Sequence, residues 1–273
     1  MQIATHAPTA AMPGALRGGQ AAQASTRIEA VWAQHHDEVQ AAQRLRWRVF
    51  AGEMGATLKP PPGTPAGLDA DLFDAHCEHL IVRTLPSDDG PSQVVGTYRV
   101  LTPSAARRLG ALYSDGEFDL VRLRHLRPHL AELGRSCTDP QWRQGGVILT
   151  LWSSLGEFLQ RHGLQGVIGC ASISMRDGGR QAAALWHHLR QTRLAAPDLQ
   201  VRPRRPLPLP LPLPPVAAGD TVETPPLIKG YLRCGAQVLG PPAWDPDFGA
   251  ADLPMMMRLA DLPLAYRKRF ITS

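Results

Sequence analysis

The stretch from Ala131 to Leu159, AELGRSCTDPQWRQGGVILTLWSSLGEFL, leaves this chain the fewest folding options. A short strand carrying Glu132 and Arg135 runs into a turn and then into Gly145-Gly146. The two glycines open an amphipathic helix on which Ile148, Leu151, Trp152, Leu155, Phe158 and Leu159 recur at helical spacing. A strand, a glycine-containing loop and a helix N-terminus together make an anion site, because unpaired backbone N–H groups converge there and the helix dipole favours negative charge. The other elements are placed around that unit.

Upstream, Ile28 to Gly55 reads as helical, either as two helices or as one broken near Gln34 to Asp37. Its second half interleaves Arg44, Arg46 and Arg48 with apolar residues, as on the solvated face of an amphipathic helix. A Pro- and Gly-rich loop, LKPPPGTPAGLDADLFD, excludes regular structure and delivers Asp69, Asp71 and Asp74 ahead of a strand. HLIVRTL and QVVGTYRVL, separated by SDDGPS, predict an antiparallel hairpin in which Arg99 shares a face with Thr97 and Leu101. Arg122, Arg124, His125 and Arg127 form a basic run that is either a solvated charge cluster or a landing pad for an acidic protein.

Downstream, GLQGVIGCASI predicts a buried strand and Gly179 to Arg190 a helix. His187 and His188 stand side by side on that helix, diverge by about 100°, and so do not ligate one metal. A proline-rich insertion at about 197–226 is expected to be flexible, AQVLG and LPMMMRL to be closing strands, and the terminal LAYRKRF to be a basic aromatic tail that touches an anionic membrane surface. This order of elements predicts an α/β (α+β) fold, a mixed central sheet flanked by helices. It forms one domain over 28–273 behind a disordered tail at 1–27.

Composition removes several function classes. The chain has 273 residues, is 44% hydrophobic and carries a net charge of +5, which fits a globular protein with carboxylate- or phosphate-bearing partners. All but Lys59, Lys229 and Lys268 of its 29 basic residues are Arg. Four dispersed cysteines with no CxxC pair argue for a reducing compartment and against a zinc site. No apolar run approaches the roughly 20 residues that span a bilayer. A cytoplasmic location is expected, with contact at the inner face of the cytoplasmic membrane left open.

Several short motifs together resemble one family. They are RWRVF at 46–50, DLFDAHCEHL at 71–80, VVGTYRV at 94–100, ELGRSC at 132–137, LW at 151–152, GCAS at 169–172 and KGYLRCGA at 229–236. With these the chain resembles the GNAT-superfamily L-ornithine Nα-acyltransferases, which are related to acyl-homoserine-lactone synthases. In place of the usual CoA loop of Arg/Gln-x-x-Gly-x-Gly/Ala it has Gln141-Trp142-Arg143-Gln144-Gly145-Gly146-Val147. That altered glycine spacing points to an acyl carrier protein as donor.

The resemblance implies transfer of a 3-hydroxyacyl chain from the phosphopantetheine of acyl carrier protein to the α-amine of L-ornithine. No bound cofactor, metal or nucleic acid is implied. Glu132 becomes the candidate base, with ion pairing to Arg135 as its alternative role. Arg48, Arg99 and Arg135 are expected to pair with Asp71 and Asp74 or to hold the amino acid carboxylate. The aspartates would alternatively receive the ornithine side-chain ammonium. Arg143, Gly145 and Gly146 would cradle the pantetheine phosphate. Cys137, with Arg135 nearby, is the candidate for a covalent acyl-enzyme, and direct transfer is favoured over it. The other functions implied are a lactone synthase, an acyltransferase for another amino acid, or a non-catalytic carrier-protein binder.

Overall fold

The computed structural model describes residues 27–87, 90–143, 146–208 and 223–270. Residues 1–26 of the tail expected at 1–27, and Gly145, lie outside the described residues. In chain order the elements are β1 (Ile28–Trp32), α1 (His36–Trp47), β2 (Glu78–Thr84), β3 (Val94–Leu101), α2 (Pro103–Leu109), β4 (Phe118–Asp119) and β5 (Leu130–Thr138). They continue with α3 (Val147–Arg161), β6 (Gly166–Ser174), α4 (Arg180–Thr192), β7 (Arg202–Pro203), α5 (Pro226–Arg233), β8 (Gln237–Val238), β9 (Ala243–Asp245), β10 (Ala250–Arg258) and α6 (Leu264–Phe270).

The main sheet has the order β1-β2-β3-β5-β6-β10-β8, with β9 also on β10, and β4 pairs separately with β7. Neighbours are antiparallel except β5 and β6, whose parallel pairing is made possible by the α3 crossover. Alternation along the strands sorts the side chains. Tyr98, Val100, Ala131 and Leu133 turn toward α3, where Val147, Leu151, Leu155, Phe158 and Leu159 are buried against them. Each of those large side chains contributes about 1.5–3 kcal/mol on leaving water. Leu101, Leu130, Ile168 and Met256 line the opposite face, beneath Leu112, Phe118, Leu120 and Leu123. Glu132 and Arg99 share that second face.

Two irregularities shape the middle of the sheet. Pairing of β5 with β6 ends at Leu133 opposite Gly169, after which the strands part. Against β3, Gly134 pairs with Arg99 and Cys137 with Thr97, so Arg135 and Ser136 together oppose Tyr98 alone. This is a bulge, and Arg135 takes a φ of 51°, a left-handed conformation that a long side chain rarely adopts.

Three sequence expectations are corrected. Ile28–Trp32 is a strand, because Ile28, Ala30 and Trp32 alternate onto the α3 side, where Trp32 stacks on Phe158 at 4.3 Å. The helix begins only at His36, where the Glu38 carboxylate accepts the Gln34 and His35 amides. LAYRKRF is a short helix, α6, with Phe270 buried against α3. The proline-rich insertion is packed structure as far as Leu207, since Leu199, Val201 and Leu207 are buried and Pro206 bridges Ala243. Its segment 209–222 lies outside the described residues.

A Cβ at Gly169 would fall 2.4 Å from the Leu133 carbonyl oxygen, on the last rung before the strands part. Gly169→Ala should therefore cost about 1–3 kcal/mol in a urea titration, since backbone must move. Gly146→Ala, where nothing lies within 4 Å of the added carbon, should cost much less.

Candidate active site

A buried ion network ties the aspartate loop to helix α1 and the sheet. Arg46 is fully buried, and its guanidinium meets Asp74 through two nitrogens at 2.9 and 2.8 Å and Asp69 at 2.9 Å. Arg99 reaches Asp71 at 2.6 Å and Asp74 at 3.4 Å. Arg135 reaches Asp69 at 3.3 Å and Asp71 at 3.2 Å. Three cations thus face three anions, so the network is neutral by itself. Burial would raise the Asp74 carboxyl, but the Arg46 and Arg99 guanidiniums hold it well below the usual carboxylate range. Burial lowers His79 and keeps its imidazole neutral, and its Nε2 lies 3.0 Å from the Asp74 carbonyl oxygen.

Of the expected site residues, Asp71, Asp74, Arg99, Glu132 and Arg135 converge and Arg48 does not. Arg48 is about half exposed and pairs loosely with Asp139 at 3.5 Å. The residue in the network is Arg46. It lies four residues after Ala42 and three before Val49, on the apolar stripe of the helix, and that spacing was the signal for it. Arg143 is engaged on the surface, its guanidinium forked onto Glu53 at 2.7 and 2.6 Å, while Gly146 caps the N-terminus of α3.

Glu132 is 4% exposed and does not pair with Arg135. Its carboxylate instead accepts the Tyr113 amide at 2.7 Å, the Ser114 amide at 2.8 Å and the Ser114 hydroxyl. It thereby fastens the 112–115 turn over the sheet. Burial pushes its carboxyl up, against the pull of the Ser114 and Tyr113 donors. Around it the Arg135 guanidinium lies 5.0 Å from the Tyr113 ring and 4.9 Å from the Phe248 ring, and Phe73 meets Tyr113 edge to face at 5.7 Å.

The cysteines are not activated. Burial pushes Cys137 up to about 12, overriding its arginine neighbours, and raises Cys170 well above the ordinary thiol value. Among the described residues no group of three or more His, Cys, Asp or Glu side chains could hold a metal ion, and no helix is long and apolar enough to cross a membrane.

Comparison with known proteins agrees with this architecture. Residues 45–153 match the model of the acetyltransferase (GNAT) domain. An L-ornithine N(alpha)-acyltransferase of Brucella abortus is 35% identical over 236 residues, which are 84% of this chain and 83% of that protein. One of Rhizobium meliloti is 34% identical over 257 residues, 91% of this chain and 84% of that protein. Among solved structures, FeeM, an N-acyl amino acid synthase from uncultured soil microbes, superposes with a TM-score of 0.53 at 12% identity, covering 89% of this chain and 98% of that one. The AHL synthase LasI superposes with a TM-score of 0.51 at 12% identity, covering 90% and 95%. These last two show a shared fold.

Removing one member of the ion network leaves buried charge uncompensated. Arg46→Met should cost about 3–5 kcal/mol in a denaturant titration. Arg48→Ala should cost less than about 1 kcal/mol, as for an exposed pair. Because the Asp74 carboxyl is depressed on folding, its contribution is present above the ordinary carboxylate pKa of about 4 and is lost as pH falls through the lower folded value. The Arg46 variant should consequently unfold at a higher pH than the wild type in an acid titration.

Proposed function

The chain belongs to the L-ornithine Nα-acyltransferase family, and from that premise we propose that it transfers a 3-hydroxyacyl group from acyl carrier protein to the α-amine of L-ornithine, giving lyso-ornithine lipid. The observation that carries this reading is Glu132, a buried carboxylate with its pKa pushed up, held beside a hydroxyl at the point where β5 and β6 part.

Amide formation from a thioester needs a neutral amine, a placed carbonyl and donors for the oxyanion. As the α-amine nitrogen attacks the thioester carbon, its proton passes to the Ser114 hydroxyl while the Ser114 proton passes to Glu132. The tetrahedral intermediate then collapses with loss of the pantetheine thiolate, which takes the proton back from Glu132 through Ser114 and restores the carboxylate. A carboxyl raised by burial suits this role, since a stronger acid would not hold the proton. Backbone N–H groups of β5 beyond Leu133, on the edge that β6 no longer pairs, supply the oxyanion donors. Arg135 and Arg99, held in place by the aspartates, offer further guanidinium N–H donors to the amino acid carboxylate.

The acyl chain enters the narrow apolar crevice lined by Leu133, Ile168, Tyr231, Met255, Met256 and Met257. The pantetheine phosphate sits at the α3 N-terminus beside Gly146, with Arg143 turning from Glu53 to meet it. Arg48, Arg143 and Arg176 cluster around Asp139, Glu53 and the Glu53 carbonyl, a basic rim suited to an acidic carrier protein. The amphiphilic product places the work at the inner face of the cytoplasmic membrane.

Purified protein incubated with a 3-hydroxyacyl carrier protein and labelled ornithine should yield a label extractable into organic solvent, with acyl-CoA a poor donor. No extractable product, together with lactone formed from S-adenosylmethionine, would refute the assignment. Glu132→Gln and Ser114→Ala should each lower kcat by ~10²-fold or more with little change in KM. A near-normal rate in both variants would remove the relay.

A further inference from the structure

Asp252 on β10 is a buried carboxylate that the ion network does not neutralise. It is 3% exposed, and one of its oxygens accepts the Ser172 hydroxyl at 2.6 Å. No ion pair among the described residues includes it, and Arg135, whose charge acts on it, is paired with Asp69 and Asp71. The other charged groups facing it are carboxylates, Asp245 on β9 and Glu117 in the turn before β4. A buried anion beside like charge, with no cation of its own, is costly in a folded chain unless a ligand supplies the counter-charge.

Its position places that ligand in the acceptor site. Asp252 is directly opposite Ser172 on β6, three residues past the last rung shared with β5, or about 10 Å along the strand at roughly 3.3 Å per residue. Alternation puts Glu132, Cys170, Ser172 and Asp252 on one face of the sheet. Cys170 lies between the two acids, its sulfur 3.5 Å from the Ser114 hydroxyl and within the fields of both Asp252 and Glu132. Tyr113 lies within the fields of both Arg135 and Asp252. Asp252 therefore shares one side of the sheet with Glu132, and Cys170 links it to the Ser114 hydroxyl that Glu132 holds.

We propose that Asp252 receives the side-chain ammonium of the acceptor and so sets the preference for a diamino acid over a neutral one. This inference rests on the acceptor assignment above. It also relieves Asp71 and Asp74 of that task, since both are already matched by arginines. Burial pushes the Asp252 carboxyl up to about 7, opposed by the Ser172 hydroxyl. The anionic, ammonium-binding form is thus gained as pH rises through neutrality.

The test compares ornithine with 2-aminopentanoate, which is ornithine without its side-chain amine. In Asp252→Asn, kcat/KM for ornithine should fall ~10²-fold, mainly through KM, while that for 2-aminopentanoate stays unchanged. Equal losses on both acceptors would make Asp252 a base or a structural group, and an undiminished preference for ornithine would remove it from recognition; either result overturns the inference. Should the variant not fold, wild-type pH profiles decide. KM for ornithine should fall from pH 6 to 8 while KM for 2-aminopentanoate stays flat, and parallel profiles overturn the inference. Absence of wild-type turnover with ornithine would overturn the acceptor assignment and this inference with it.

Discussion

The Arg46 guanidinium, fully buried and shared between Asp69 and Asp74, ties helix α1 to the aspartate loop. The loop from 55 to 77 is too rich in proline and glycine to order itself through backbone hydrogen bonds. What fixes it is charge. Arg46 reaches it from α1, Arg99 from β3 and Arg135 from the bulge in β5. Arg135 tolerates a left-handed backbone there because two carboxylates and two aromatic rings define where its guanidinium sits. A balanced network of this kind is better at specifying geometry than at adding stability.

Neutrality of the network divides the labour in the site. Asp69, Asp71 and Asp74 are matched by arginines and have no charge left over for a ligand. Glu132 and Asp252 differ, because hydroxyls and amides satisfy them but no cation among the described residues contacts them. In a low-dielectric setting that raises both carboxyls toward the range useful for proton transfer or for recognising an ammonium. The family's chemistry needs one group of each kind, and the two stand on the same face of the sheet, on either side of β6.

Much of the fold was legible because its signals are local. The β2–β3 hairpin, β6, α3 and α4 follow from alternation and helical spacing. β1 was missed because its five residues run almost directly into a helix, so one apolar stripe seemed to cover both. In RWRVF the two arginines differ only in helical phase, and phase put Arg46 inside and Arg48 outside. The donors to Glu132 come from 18 and 19 residues upstream, a separation that no motif reports. Asp252 sits at the start of an apolar strand with nothing around it to mark it, and its role emerges only from the β6–β10 register. Tertiary electrostatics, rather than secondary structure, was the part hidden in the sequence.

The proposed orientation of the acceptor joins these elements, with its carboxylate at Arg135, its α-amine at the Ser114 hydroxyl and its side-chain ammonium at Asp252. Fragmentation of the acylated product by tandem mass spectrometry reads that orientation in one step. Acylation at the α-nitrogen alone, with a free side-chain amine, is the expected result. A product acylated on the side-chain nitrogen would mean that the amino acid lies the other way round, and would contradict the roles given to Glu132 and Asp252.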